Sequence, residues 1–232
     1  MTTVRYEQQG PIAIVTLDDG KANALSYALM DEAEQALARA DKEASAVVLT
    51  GRAGRFSAGF DLKEMMSGAD KARALVARGA EFLMKLYELP MPLVIACSGH
   101  ALAGGALTVL TGDVRIGVEG PFKIGLNEVQ LGMPVPILAM ELARDRLKSE
   151  YLTRATLFAE VADPKTALEW GYLDELVAPE AAAATAMAHA TKLAGLSRDA
   201  YRKTKLAMRE KTIRYVRETL AVDMQRLTPP VA

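Results

Sequence analysis

The sequence predicts an α/β fold, a largely parallel buried sheet followed by a helical C-terminal portion. Three observations carry this. Short apolar, β-branched runs recur at 12–17, 46–50, 93–97 and 114–118, helix-period segments separate them, and helical patterns dominate after Pro134.

Taken in order, residues 4–7 and 12–17 flank Gly10-Pro11 and read as a hairpin. A polar loop follows over 18–22. Asn23 or Ser26 can then cap a helix whose apolar positions Leu29, Met30, Ala33 and Leu37 keep helical spacing. The run 46–50 is a buried strand, a long helix is expected near Asp70 to Glu88, and strands return at 93–97 and 114–118. Asp163-Pro164 has the form of a cap with a first-turn proline. A short run at 175–177 precedes Ala-rich helices, and Ser197 to Arg226 reads as one or two amphipathic helices that pack on something, another subunit included. We divide the chain into a core over 1–195 and a helical region over 196–232.

With 232 residues the chain fits one large domain or two small ones at roughly 100–200 residues each. It can bury a core without disulfide or metal. The 28 basic and 29 acidic side chains leave a net charge of −1, which argues against a dedicated nucleic-acid binder. Cys97 has no partner thiol and lies in an apolar run, so it reads as a core residue, and two histidines with one thiol are too few for structural zinc. No apolar run reaches membrane-spanning length, and a soluble, cytoplasmic protein is expected.

Chemistry can sit in three places. Gly51 to Lys63 and Ser98 to Leu107 each follow a strand and lead toward a helix, bringing small residues and free helix-start N–H groups to a corner. Neither matches a Walker loop or a dinucleotide fingerprint. Together they could aim two amides at one developing negative charge, although on pattern alone both are first of all glycine-bearing turns. The third is Ile124 to Gly132, where Glu128 stands between apolar residues. It is either a partly buried proton-transfer group or an exposed glutamate paired with a cation.

Phe56-Ser57-Ala58-Gly59-Phe60-Asp61-Leu62, Gly99-His100-Ala101-Leu102-Ala103-Gly104-Gly105 and Gly125-Leu126-Asn127-Glu128 resemble the crotonase (enoyl-CoA hydratase/isomerase) superfamily. So do Lys21 to Ser26 and Ala167 to Val177. The last forty residues match least. The resemblance implies a spiral of ββα units, a C-terminal helical trimerisation region giving a trimer or a dimer of trimers, and an acyl-CoA thioester as substrate, with coenzyme A entering as part of that substrate and no other cofactor.

It further implies that the backbone N–H groups of Phe60 and Gly104 form an oxyanion hole. Ala22 and Ala58 would meet coenzyme A through backbone groups, Lys21 and Lys63 would neighbour its phosphates, and Gly59 and Asp61 belong to the same substrate-binding loop. Of the two glutamates that hydratases of this family use, one matches Glu128, whereas the other falls on Leu107. Within the superfamily the chain looks most like the mitochondrial-type Δ3,Δ2-enoyl-CoA isomerases, with Glu128 carrying a proton from C2 to C4 of a 3-enoyl-CoA. Leu107, Leu126 and Phe60 would wall the acyl group, and Met133 to Ile137 would shape its pocket. A single-glutamate hydratase or hydrolase, or a non-catalytic acyl-CoA binder, are the alternatives. His100 either touches substrate or packs.

Overall fold

A computed structural model describes residues 2–229. The chain opens with β1 (Val4–Gln9) and β2 (Ile12–Leu17), the antiparallel hairpin expected from Gly10-Pro11, and continues into α1 (Tyr27–Glu43). Ser26, rather than Asn23, caps α1: its Oγ accepts from Leu29 N at 3.2 Å.

Three ββα units follow. They are β3 (Ala46–Gly51), β4 (Gly54–Ser57), the short α2 (Leu62–Met65) and α3 (Ala69–Tyr87); then β5 (Leu93–Cys97), β6 (Gly99–Leu102) and α4 (Gly104–Leu110); then β7 (Val114–Val118), β8 (Ile124–Gly125) and α5 (Ile137–Arg146). The first strand of each unit joins one sheet, of order β1-β2-β3-β5-β7-β9, and the second joins a small sheet, β4-β6-β8. The strand-to-strand pairings after the hairpin are parallel. The turning of the chain from one sheet to the other and back is the spiral the motifs imply. β4, β6 and β8 lie within the three candidate chemical segments and are not legible as strands in the sequence, because two to four residues carry no periodicity.

The remaining elements are α6 (Leu152–Thr156), α7 (Pro164–Trp170), β9 (Glu175–Val177), α8 (Ala182–Ala194) and α9 (Arg198–Arg226). Asp163 caps α7 through Lys165 N and Thr166 N, at 2.9 and 3.0 Å, with Pro164 in its first turn. The period-2 alternation of the large sheet decides its two faces. Ala13, Val15, Leu17, Val47 and Leu49 point into the core shared with α1 and α3, and Ile12, Ala46, Val48, Val94 and Ile116 meet Ala186 and Ala190 of α8. Strands covered on both faces are why these runs read as continuously apolar.

The C-terminal portion is a single 29-residue helix, α9, capped by Ser197 and lying on α3 and α5. Its inner face carries ions as well as apolar groups. Asp113, between α4 and β7, accepts from Lys205 Nζ and from the Arg209 guanidinium, each at 2.8 Å, and from Leu93 N, also at 2.8 Å. Arg209 also donates to Tyr87 O at 2.7 Å and lies 4.1 Å over the Tyr87 ring. Burial of these cations follows from the carboxylate and carbonyls that meet them. Among the described residues no helix is long and apolar enough to cross a membrane.

Candidate active site

The two glycine corners converge. Beyond β4, the segment 58–61 runs alongside 22–25: Ala58 N donates to Ala22 O at 3.0 Å, and Leu25 N donates to Gly59 O at 2.8 Å. Asp61 N donates back to Leu25 O at 3.4 Å, a parallel bridge of Leu25 with Phe60. Such a bridge uses the C=O before and the N–H after the bridged residue, so it leaves the N–H of Phe60 out of the pairing.

Asn23 holds this strip in place. It is fully buried at φ +52°, and its amide donates to Leu17 O, Arg55 O and Phe56 O at 2.9, 3.1 and 3.2 Å. Asparagine tolerates the left-handed region and can satisfy several carbonyls at once, which accounts for the residue at this corner.

The second corner is strained. Ala103 sits at φ +47°, ψ −121°, a backbone conformation costly for a residue with a Cβ. Its N–H is tied to Gly125 O at 3.0 Å, and the next residue, Gly104, begins α4. The N–H of Gly104 is therefore a first-turn donor with no intrahelical acceptor. The corner abuts the first: a Cβ on Gly105 would lie 2.2 Å from Ser57 O, and one on Gly104 would lie 2.9 Å from Leu25 Cδ1. Only glycine permits that approach.

Glu128 follows β8 and opens a single 3₁₀ turn, Val129–Leu131. Its side chain is 6% exposed and lines a cavity of about 360 Å³, a size that suits a small-molecule ligand. Oε2 has no hydrogen-bond partner in the protein. Burial pushes the carboxyl up to about 7, with its own backbone N–H pulling modestly the other way.

Ala22, Ala58, Phe60 and Leu107 line the same cavity, as do Met133 and Pro136 from the segment expected to shape an acyl pocket. Leu107 is buried on the α4 wall. Gly59 and Gly104 stand behind the wall, where the corners meet. Two expectations need correction. Leu126 is fully buried but not on the cavity wall; its side chain joins the core while Asn127 and Glu128 turn toward the cavity. The Asp61 carboxylate caps α2 through Lys63 N and Glu64 N, at 2.9 and 3.3 Å, so it serves the loop's shape. His100 packs edge-on to Phe122 and accepts from Lys123 N at 3.1 Å, away from the cavity. Lys21 and Lys63 are exposed, free to meet a solvated anion.

Ala24, Met65, Val76, Leu102, Leu131 and Leu138 complete much of the lining and were not singled out in the sequence. They carry no chemical signature, since an apolar wall residue and a core residue look alike until the helices are placed. Two backbone amides and one buried carboxylate around an apolar chamber can stabilise an oxyanion while moving one proton. Among the described residues no group of acidic, histidine or cysteine side chains is arranged to hold a metal.

The sequence profile of the enoyl-CoA hydratase/isomerase family matches residues 7–231. The chain is 32% identical over 206 residues to human mitochondrial enoyl-CoA delta isomerase 1, covering 87% of this chain and 68% of that protein. A probable enoyl-CoA hydratase of Bacillus subtilis is 32% identical over 126 residues, 53% of this chain and 48% of that one. The crystal structure of an enoyl-CoA hydratase/isomerase family protein from Pseudomonas syringae superposes with a TM-score of 0.95 at 39% identity, covering 97% and 98% of the two chains. With its converging amide corners and buried glutamate built on that spiral, the chain belongs to the enoyl-CoA hydratase/isomerase family.

Proposed function

We propose that this family member moves the double bond of a 3-enoyl-CoA to the 2-trans position. The observation that carries the reading is the cavity's wall chemistry: Glu128 is the one carboxylate among its described lining residues, and Leu107 stands where a second would be needed to add water. The Glu128 carboxylate takes a C2 proton, and the electron pair passes through the thioester to its oxygen. The N–H groups of Phe60 and Gly104 receive that oxygen. The Glu128 carboxylic acid then returns the proton to C4, and the dienolate collapses with the double bond between C2 and C3.

A carboxyl titrating near 7 serves both halves, because it is neither too weak a base nor too weak an acid at neutral pH. Each amide donor is worth about 10²–10³ in rate and a positioned base about 10²–10⁴. The apolar wall keeps water from competing for the intermediate. Coenzyme A enters as part of the substrate, near the exposed Lys21 and Lys63.

For assembly we propose a trimer through α9, whose outer stripe of Met208, Tyr215 and Val222, seven residues apart, is exposed; light scattering of the purified protein checks it.

Incubation with 3-enoyl-CoA and, separately, 2-enoyl-CoA, followed by product identification, decides the reaction. Formation of 2-trans-enoyl-CoA from the first is expected. A 3-hydroxyacyl-CoA from the second would assign a hydratase, free acid a hydrolase, and no product from either an acyl-CoA binder. Glu128→Gln is expected to retain thioester binding and lose most turnover.

A further inference from the structure

Near the middle of α3, one inward position carries no side chain. The helix buries Ala72, Leu75, Val76, Gly79, Ala80 and Leu83 along one face at helical spacing, and of these Gly79 alone lacks a Cβ. Glycine is, after proline, the least favourable residue in a helix interior, and this one has no positive φ that would call for it. Its surroundings account for it. A Cβ on Gly79 would lie 2.0 Å from Phe60 Cε1, 2.6 Å from Cζ and 3.3 Å from Cδ1. The opposite edge of the same ring faces the second corner, where a Cβ on Gly104 would lie 3.3 Å from Phe60 Cδ2 and Cε2. The Phe60 ring is therefore seated between two bare glycines, one inside α3 and one at the start of α4.

We propose that Gly79 is a positioning residue for the Phe60 amide: the space left by its missing side chain seats the ring, and the seated ring fixes where the Phe60 N–H stands against that of Gly104. This rests on those two amides forming the oxyanion hole argued above. Hydrogen bonds pin residues 58–61 to 22–25 along one edge and leave the Phe60 N–H out of the pairing. The ring supplies the support on the α3 side. A methyl at position 79 would leave the ring two ways to move. It can press toward Gly104, or it can swing into the cavity whose wall Phe60 shares with Val76 and Leu107. One methylene joins ring to backbone, so pressure toward Gly104 reaches the amide and lowers kcat. A swing into the cavity would fill acyl space and raise KM instead. The seat between the two glycines requires the first.

Gly79→Ala is the test. Alanine favours the helix, so the variant is expected to fold. Its kcat for 3-enoyl-CoA isomerisation should fall about 10- to 100-fold, as for a donor moved by a fraction of its bond length, with a much smaller change in KM. Phe60→Leu supplies the rescue. Leucine keeps the backbone N–H and both Cδ atoms but lacks Cε1 and Cζ, the two atoms nearest the added methyl. In the Phe60→Leu background Gly79→Ala should change kcat by no more than about twofold and raise the thermal midpoint, because only the helix preference is left. The infrared carbonyl stretch of bound octanoyl-CoA reads the donors without turnover. It should lie below its solution value in the unaltered protein, return toward that value in Gly79→Ala, and match Phe60→Leu in the double variant. An unchanged kcat and band, a loss confined to KM, or a loss that persists in the Phe60→Leu background would overturn the proposal while leaving the isomerase intact. A band that responds as expected in a protein performing no isomerisation would retain the Gly79–Phe60 pair and sink the reaction instead. An unlowered band in the unaltered protein would sink the shared oxyanion hole and this inference with it.

Discussion

Gly59 and Gly104 meet across the junction of the two loops: a Cβ on Gly59, at φ +91°, would lie 3.1 Å from Gly104 N and 2.8 Å from Leu102 O. The amide corners are thus a single contact between two segments some forty residues apart, and their spacing depends on both remaining bare.

Gly59→Ala should push the corners apart and strain a positive φ. If one donor is thereby misplaced, kcat should drop by about 10²–10³ with a smaller change in KM. Steady-state kinetics on 3-enoyl-CoA measure it, and near-normal kcat would show that the two amides do not share an oxyanion.

Glu128 provides a pH prediction. As the free-enzyme base it must be ionised, so kcat/KM should rise with pH through a limb near 7. A profile flat from pH 5 to 9 would remove it from the base role.

The same burial makes Glu128 costly to the fold. Its folded-state pKa is raised above the unfolded value, so the native state holds the proton longer, and stability falls as pH rises from the ordinary carboxyl range through about 7. Glu128→Gln should therefore unfold later than the unaltered protein at pH 8, by up to ~3 kcal/mol, and show little advantage at pH 4. Denaturant titrations at the two pH values read the difference.

Leu107→Glu places a carboxylate on the α4 wall opposite a cavity that otherwise has one. Some hydration of 2-enoyl-CoA should appear, measured as 3-hydroxyacyl-CoA. A folded variant with no hydration would mean that the water site is closed by more than the missing carboxylate.

At the other end of α4, Asp113→Ala leaves Lys205 and Arg209 buried without their carboxylate. Loss on the order of 3–5 kcal/mol is expected, seen as a lower thermal midpoint. An unchanged midpoint would show that α9 is held by its apolar face alone.

The strand–helix alternation can be read from the sequence, because period and β-branching are written locally. The sequence also shows the cap at Asp163, offers Asn23 or Ser26 for α1, and carries the chemical identity of the glycine corners and Glu128. It could not separate β4, β6 and β8 from loops, since strands that short are defined only by the neighbours they pair with. Nor could it say that Leu126 turns into the core while Asn127 and Glu128 face the cavity, because one residue of rotation decides that and the pairing of β8 sets the rotation. The carbonyl-binding role of Asn23 and the backbone strain at Ala103 are not legible in the sequence for the same reason. A buried amide with three acceptors and a strained φ are both relations between distant segments. Tertiary structure alone brings those segments within reach, and it is burial in that assembly, rather than the residue type, that gives Glu128 a titration near neutrality.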